Sequence, residues 1–157
     1  MPVIDLSEVE VFTGSGYPAP HAEAMGDRSF QPLGDHAGLT QYGVVLVTMN
    51  PGSTSSLRHW HKEQDEFTMI TEGELILCEN DGETPVRTGD CIAWPKNTDN
   101  GHCLKNRSDA VAKFLVIGTR TPTDHVVYSD VDLEYHEEGE AYRFTKRGGA
   151  PLDETES

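Results

Sequence analysis

The stretch Arg58-His59-Trp60-His61-Lys62-Glu63-Gln64-Asp65-Glu66 sets two histidines two residues apart, with three acids close behind. Imidazole nitrogen and carboxylate oxygen are donors that first-row divalent metals accept. On a strand, residues i and i+2 project to one face, so His59 and His61 point together while Trp60 points away. Glu66 opens the apolar run Glu66–Ile70, and from there its carboxylate can return to the same pocket. His102, in Asn100-Gly101-His102, begins a later apolar stretch. A hydrogen-bonded barrel would bring His59, His61, Glu66 and His102 together. An HxH pair alone on a wet strand is ordinary polar surface; its companions give it weight.

The elements that must position these donors are short strands. From Gln41 the chain runs through Tyr42-Gly-Val-Val-Leu-Val-Thr-Met-Asn50, a β-branched stretch closed by Pro51-Gly52. Further apolar runs follow at 66–70, 74–79, 91–94, 102–104 and 110–118, separated by polar turn sequences. Asp81-Gly82 is a tight-hairpin dipeptide. No segment sustains a 3.6-residue apolar period, so the pattern predicts an all-β sandwich or barrel. Residues 1–40 read as an irregular N-terminal arm, 41–120 as the barrel core, 121–147 as a loop with one or two edge strands, and 148–157 as a disordered tail.

The 157 residues suit one domain with a core that needs no disulfide staples. The net charge of −15, from 27 acids and 12 bases, opposes binding to nucleic acid or an anionic membrane. Three cysteines without a CxxC spacing fit a reducing compartment. No apolar run reaches the roughly 20 residues needed to span a bilayer, and the N-terminal residues lack the pattern of a signal peptide. The expected location is cytoplasmic.

Gly52, six residues, His59-x-His61, four residues, Glu66, six residues and Gly73 form one block. Gly89, five residues, Pro95, then His102, three residues and Asn106 form a second. Together they resemble the two motifs of the cupin superfamily over residues 41–118. Relative to those motifs the first block has one extra residue after Gly52. In the second, Asn97 stands at a usual glycine, and His102 lies seven residues after Pro95 instead of five. Asn100-Gly101-His102 and residues 118–133 resemble a subgroup of stand-alone bacterial cupins. The resemblance implies a double-stranded β-helix, or jelly-roll barrel, in which His59, His61, Glu66 and His102 bind one divalent transition metal: Fe, Mn, Ni, Cu, Co or Zn. It also implies a homodimer.

Three histidines and one carboxylate leave open positions on a five- or six-coordinate ion, an arrangement suited to reaction. The expected function is a metal-dependent enzyme acting on a small oxygen-rich substrate. Dioxygenase chemistry ranks first, with isomerase or lyase next and Glu66 as a base if it leaves the metal. The alternative is a non-catalytic ligand-binding or sensor module; a structural barrel with a vestigial site ranks last. Glu63 and Asp65 read as turn acids, Cys78, Cys91 and Cys103 as core thiols, and Asn106 as a turn residue. Trp60 and Trp94 read as core or interface anchors. His21, His36, His125 and His136 read as surface histidines. Arg120, Asp124, Tyr128 and Asp130 read as structural groups covering a sheet edge.

Overall fold

A computed structural model describes residues 3–19 and 21–153. Its strands are β1 (Phe12–Thr13), β2 (Arg28–Gln31), β3 (Tyr42–Met49), β4 (His59–His61), β5 (Glu66–Glu72), β6 (Glu74–Glu79), β7 (Gly82–Arg87), β8 (Cys91–Trp94), β9 (Cys103–Lys105), β10 (Ala112–Thr119), β11 (Thr123–Tyr128), β12 (Glu134–Glu138) and β13 (Ala141–Thr145). One helical turn, α1 (Leu33–His36), lies between β2 and β3. The architecture is all-β.

One sheet has the order β1-β2-β3-β10-β5-β8; the others run β13-β12-β11-β4 and β7-β6-β9. An antiparallel bridge between His59 and His102 joins the latter two. Strand alternation decides what is buried. On β5, Thr68 and Ile70 turn inward while Phe67 and Met69 are exposed, matching the period of two. Val47 and Met49 of β3 and Phe114 of β10 meet Leu75 and Leu77 of β6 and Leu104 of β9 across the main core. Each such side chain, fully buried, contributes about 1.5–3 kcal/mol relative to exposure.

Pro85 lies inside β7, a segment whose Gly and Pro suggest a turn. The strand survives because β7 is the edge of its sheet, where a missing N–H costs no ladder bond. The hairpin turn falls on Asn80-Asp81, one residue earlier than the Asp-Gly signal suggests; Gly82, at φ +124°, already pairs with Glu79.

The segment expected to be an irregular arm contributes sheet. Arg28–Gln31 pairs with β3, and Phe12–Thr13 adds a further strand outside it. Arg28 and Phe30 sit opposite Met49 and Val47, so β2 presents its alternating side chains to the core of its neighbour. The sequence around it is too short and too rich in Gly and Pro to display that alternation. Beyond residue 120 there are three strands rather than one or two, and β11 is flanked on both sides, by β4 and β12. Val126, Tyr128 and Leu133 form a second apolar cluster, covered by Tyr17 and Leu152. Residues 148–153 thus include a packed side chain; 154–157, the rest of the expected tail, lie outside the described residues.

Candidate metal centre

β4 pairs with β11, setting His59 opposite Tyr128, Trp60 opposite Val127 and His61 opposite Val126. The two histidines share the inner face. The bridge from His59 N–H to His102 O (3.1 Å) and from His102 N–H to His59 O (2.9 Å) brings the third imidazole alongside. Glu66, the first residue of β5, reaches across from the facing sheet. Its Oε2 lies 3.3 Å from His61 Nε2 and 3.9 Å from His59 Nε2, while its Oε1 lies 3.5 Å from His102 Nε2. All four sequence-derived candidates therefore converge. Ligand atoms of His59, His61 and Glu66 all lie within 4.8 Å of one another.

The far side of each ring fixes what the near side can do. His59 Nδ1 lies 2.9 Å from Leu57 O, His61 Nδ1 lies 2.5 Å from Asp124 Oδ2, and His102 Nδ1 lies 3.3 Å from Asn100 O. A carbonyl or carboxylate oxygen only accepts, so Nδ1 carries the proton in each contact. In the neutral ring this leaves the Nε2 lone pair directed at Glu66, as a metal ligand requires. His102 Nε2 is buried and makes no hydrogen bond. An orphaned buried nitrogen is costly unless something else occupies its lone pair. The donor set thus fits a divalent transition ion.

Electrostatics follow the same geometry. Burial holds His59 near pKa 4, opposed only in part by Glu66. Burial also pulls His61 down, but hydrogen bonds to Asp124 and Glu66 outweigh it and raise the pKa to about 9. Burial raises Glu66, yet the imidazoles of His102, His61 and His59 hold it well below the usual carboxylate range.

Two supports escape a reading of the sequence. Asp124, read there as an edge-covering residue, is buried and clamps His61. Trp94, read as a core or interface anchor, does lie in the main core, and it also stacks on His102 with ring centroids 3.7 Å apart and planes 7° apart. Trp94 Nε1 donates to Glu79 Oε1, which also accepts from Asn100 Nδ2, so one acid steadies both sides of His102. The expected turn residues behave as turn residues. Asn106 Nδ2 donates to Met49 O and Ala110 O, Asp65 Oδ1 accepts from Lys96 N–H, and Glu63 accepts from Thr123 Oγ1. Cys78 and Cys103 are buried, but Cys91 faces solvent on the outer side of β8, not the core expected for it. His125 and His136 are partly buried beside Glu134 instead of standing free on the surface.

A cavity of about 460 Å³ opens on His59 and His61. Its walls come from the N-terminal segment (Tyr17, Arg28, Phe30) and from the C-terminal sheet (Tyr128, Tyr135, Phe144). Arg28 is buried and lies over the Phe30 ring at 4.9 Å. Its Nη1 donates to Thr54 O, while its Nε is buried without a partner. Among the described residues no carboxylate forms a salt bridge with it, and burial lowers its pKa.

No helix among the described residues is long and apolar enough to cross a membrane. Comparison with known proteins gives a consistent family. Residues 45–118 match the Cupin_2 family, described as a cupin domain. A sugar phosphate isomerase from a cupin superfamily of Silicibacter pomeroyi is 48% identical, covers 99% of both chains and superposes with a TM-score of 0.95. A predicted oxalate decarboxylase from Thermotoga maritima, 19% identical, covers 76% of this chain and 99% of its own with a TM-score of 0.61, and shares the fold. Protein SchB of Streptomyces halstedii is 28% identical over 97 residues, 61% of this chain and 68% of that protein. With the sheet order, the two motif blocks and these relatives in agreement, the chain belongs to the cupin superfamily.

Proposed function

We propose that the protein is a metal-dependent isomerase that interconverts aldose and ketose forms of a small phosphorylated sugar. The observation that carries this reading is Arg28, a buried guanidinium without a carboxylate partner, lining the cavity that opens on His59 and His61. A desolvated, unpaired cation in a cavity calls for an anion, and guanidinium matches phosphate in geometry. The likeness to the Silicibacter pomeroyi sugar phosphate isomerase supports the same substrate class. Dioxygenase chemistry, placed first from the sequence, moves behind isomerase chemistry because it has no comparable support.

His59, His61, Glu66 and His102 are the residues that would hold the cation, which would supply Lewis acidity to the adjacent carbonyl and hydroxyl oxygens of a sugar. Arg28 anchors the phosphate and thereby sets which carbons face the cluster. Among the described residues, Glu66 is the carboxylate that faces all three imidazoles. In this reading its carboxylate would take the proton from one sugar carbon and return it to the neighbouring carbon. Tyr17, Tyr128 and Phe144 exclude water from the cavity wall.

The test is proton NMR in D2O of the metal-loaded protein with C4–C6 aldose and ketose phosphates and their unphosphorylated counterparts. Interconversion with deuterium gained at C2 of the aldose and C1 of the ketose, lost in His59→Ala and shifted to much higher KM in Arg28→Met, supports the isomerase. Saturable binding with neither exchange nor turnover would make it a ligand-binding module, and O2 uptake without isomerisation would restore the dioxygenase order.

The homodimer rests on Tyr42, Phe67 and Met69, exposed apolar side chains on the outer face of the six-stranded sheet. Self-association would cover them. Light scattering should give a dimer mass for the native chain and a monomer mass for Phe67→Asp with Met69→Asp.

A further inference from the structure

The outer face of the C-terminal sheet holds a second group of metal-ligating side chains. β11 and β12 pair so that His125 sits opposite His136 and Val127 opposite Glu134. All four project to one face, opposite to Asp124 and Val126. Ring centroids of His125 and His136 are 4.3 Å apart. Glu134 Oε2 lies 3.3 Å from His125 Nε2 and 3.7 Å from His136 Nε2. Ligand atoms of the three residues all lie within 4.8 Å of one another.

These spacings are those of a coordination shell. Bonds of about 2.0–2.1 Å in a tetrahedral site place neighbouring donors roughly 3.3 Å apart. His125 Nε2 is buried without a hydrogen-bond partner, although the carboxylate stands beside it. Glu134 is itself buried and forms no salt bridge to Lys or Arg among the described residues. Burial also lowers the His136 pKa, with His125 and Arg143 adding to the effect, which favours the uncharged ring that can act as a ligand. His136 Nε2 is 3.1 Å from Thr145 Oγ1, a contact that a bound ion would displace.

We infer that His125, Glu134 and His136 form a second site for a borderline divalent cation of the Zn(II) class, separate from the His59–His61–Glu66–His102 cluster. Two imidazoles and a carboxylate suit that class, and the fourth position opens to a solvent-facing hollow bordered by Glu137 and Arg143. The cation would bridge β11 to β12. Asp124 projects from the opposite face of β11, so the bridge would stiffen the strand that positions His61.

The test is equilibrium dialysis of metal-stripped, untagged protein against Zn(II) in about 0.2 M NaCl, where a Debye length below about 8 Å screens ions held only by net charge. The native chain should take up two equivalents. His125→Gln with His136→Gln should take up one, as should His59→Ala with His61→Ala; the fourfold variant should take up none. Glu134→Gln is the milder check, since an amide keeps the volume and loses the anionic donor. Circular dichroism confirms that each variant is folded. Uptake by the native chain that does not fall in His125→Gln with His136→Gln and in Glu134→Gln would overturn the second site.

Discussion

Asp124 Oδ2 and His61 Nδ1 lie 2.5 Å apart although 63 residues separate them in the chain. The other carboxylate oxygen accepts from Glu63 N–H at 3.2 Å, so the acid is held from two directions. Its charge fixes the proton on Nδ1 and raises the basicity of Nε2, the nitrogen that faces Glu66. Asp124→Asn keeps the shape and removes the charge. It should weaken divalent-metal binding at the four-residue cluster by about 10–100-fold with the fold intact, as outer-shell changes commonly do. Calorimetric titration with Zn(II) or Mn(II) on the His125→Gln, His136→Gln background reads this without interference. An unchanged affinity would show that Asp124 does not tune the cluster.

The metal-free protein should lose stability on both sides of pH 6.5. His61 has a folded pKa of about 9, above its unfolded value, so its contribution is full below pH 6.5 and is lost as pH rises through 9. His59 is held near 4, so its contribution is full above pH 6.5 and is lost as pH falls through 4. Glu66, also depressed, adds to the acid-side loss below its unfolded pKa. Thermal melts from pH 4 to 10 in the presence of a chelator should peak near pH 6.5. Asp124→Asn should flatten the alkaline limb. A native melting temperature that stays level from pH 7 to 10 would remove His61 as its cause.

Gly101 lies between Asn100 and His102, packed against Ser129. A Cβ placed on it would meet Ser129 Oγ at 1.9 Å and Ser129 Cβ at 2.8 Å. Gly101→Ala should therefore cost about 1–3 kcal/mol through overpacking, seen as a lower denaturation midpoint. Ser129→Gly should rescue most of that loss when combined with it. Absence of rescue would place the defect elsewhere in the loop.

How far the sequence led is clearest at His102. His59, His61 and Glu66 are legible because one strand and the start of the next carry them, and a period of two fixes their faces. His102 is legible from the second motif block despite two added residues before it, because the added length is absorbed in the Lys96–Asn100 loop. The supports are not legible in this way. Asp124, Trp94 and Glu79 act through contacts between strands far apart in the chain, and no local period records which strand faces which. The same limit hid the pairing of His125 with His136, which follows from the β11–β12 register, and the strand at Arg28–Gln31, whose partner is the edge of β3.

The thiols should separate cleanly. Burial pushes the Cys103 thiol up to about 12 and raises Cys78 as well, while Cys91 is exposed. Reactivity needs thiolate and access. A thiol reagent at pH 8 should label one cysteine in the folded protein, Cys91, and three after denaturation. Rapid labelling of Cys103 in the folded state would mean that β9 opens readily and that the neighbouring His102 is not held as described.

The most direct measurement is anomalous X-ray scattering from crystals grown with a single added divalent metal, with data collected at its absorption edge. A peak within about 2.0–2.3 Å of the Nε2 atoms of His59, His61 and His102 and of a Glu66 oxygen is expected, the range for nitrogen and oxygen ligation of such ions. A map without a peak there, with the His102 ring turned away from Glu66, would contradict the metal centre and the function built on it.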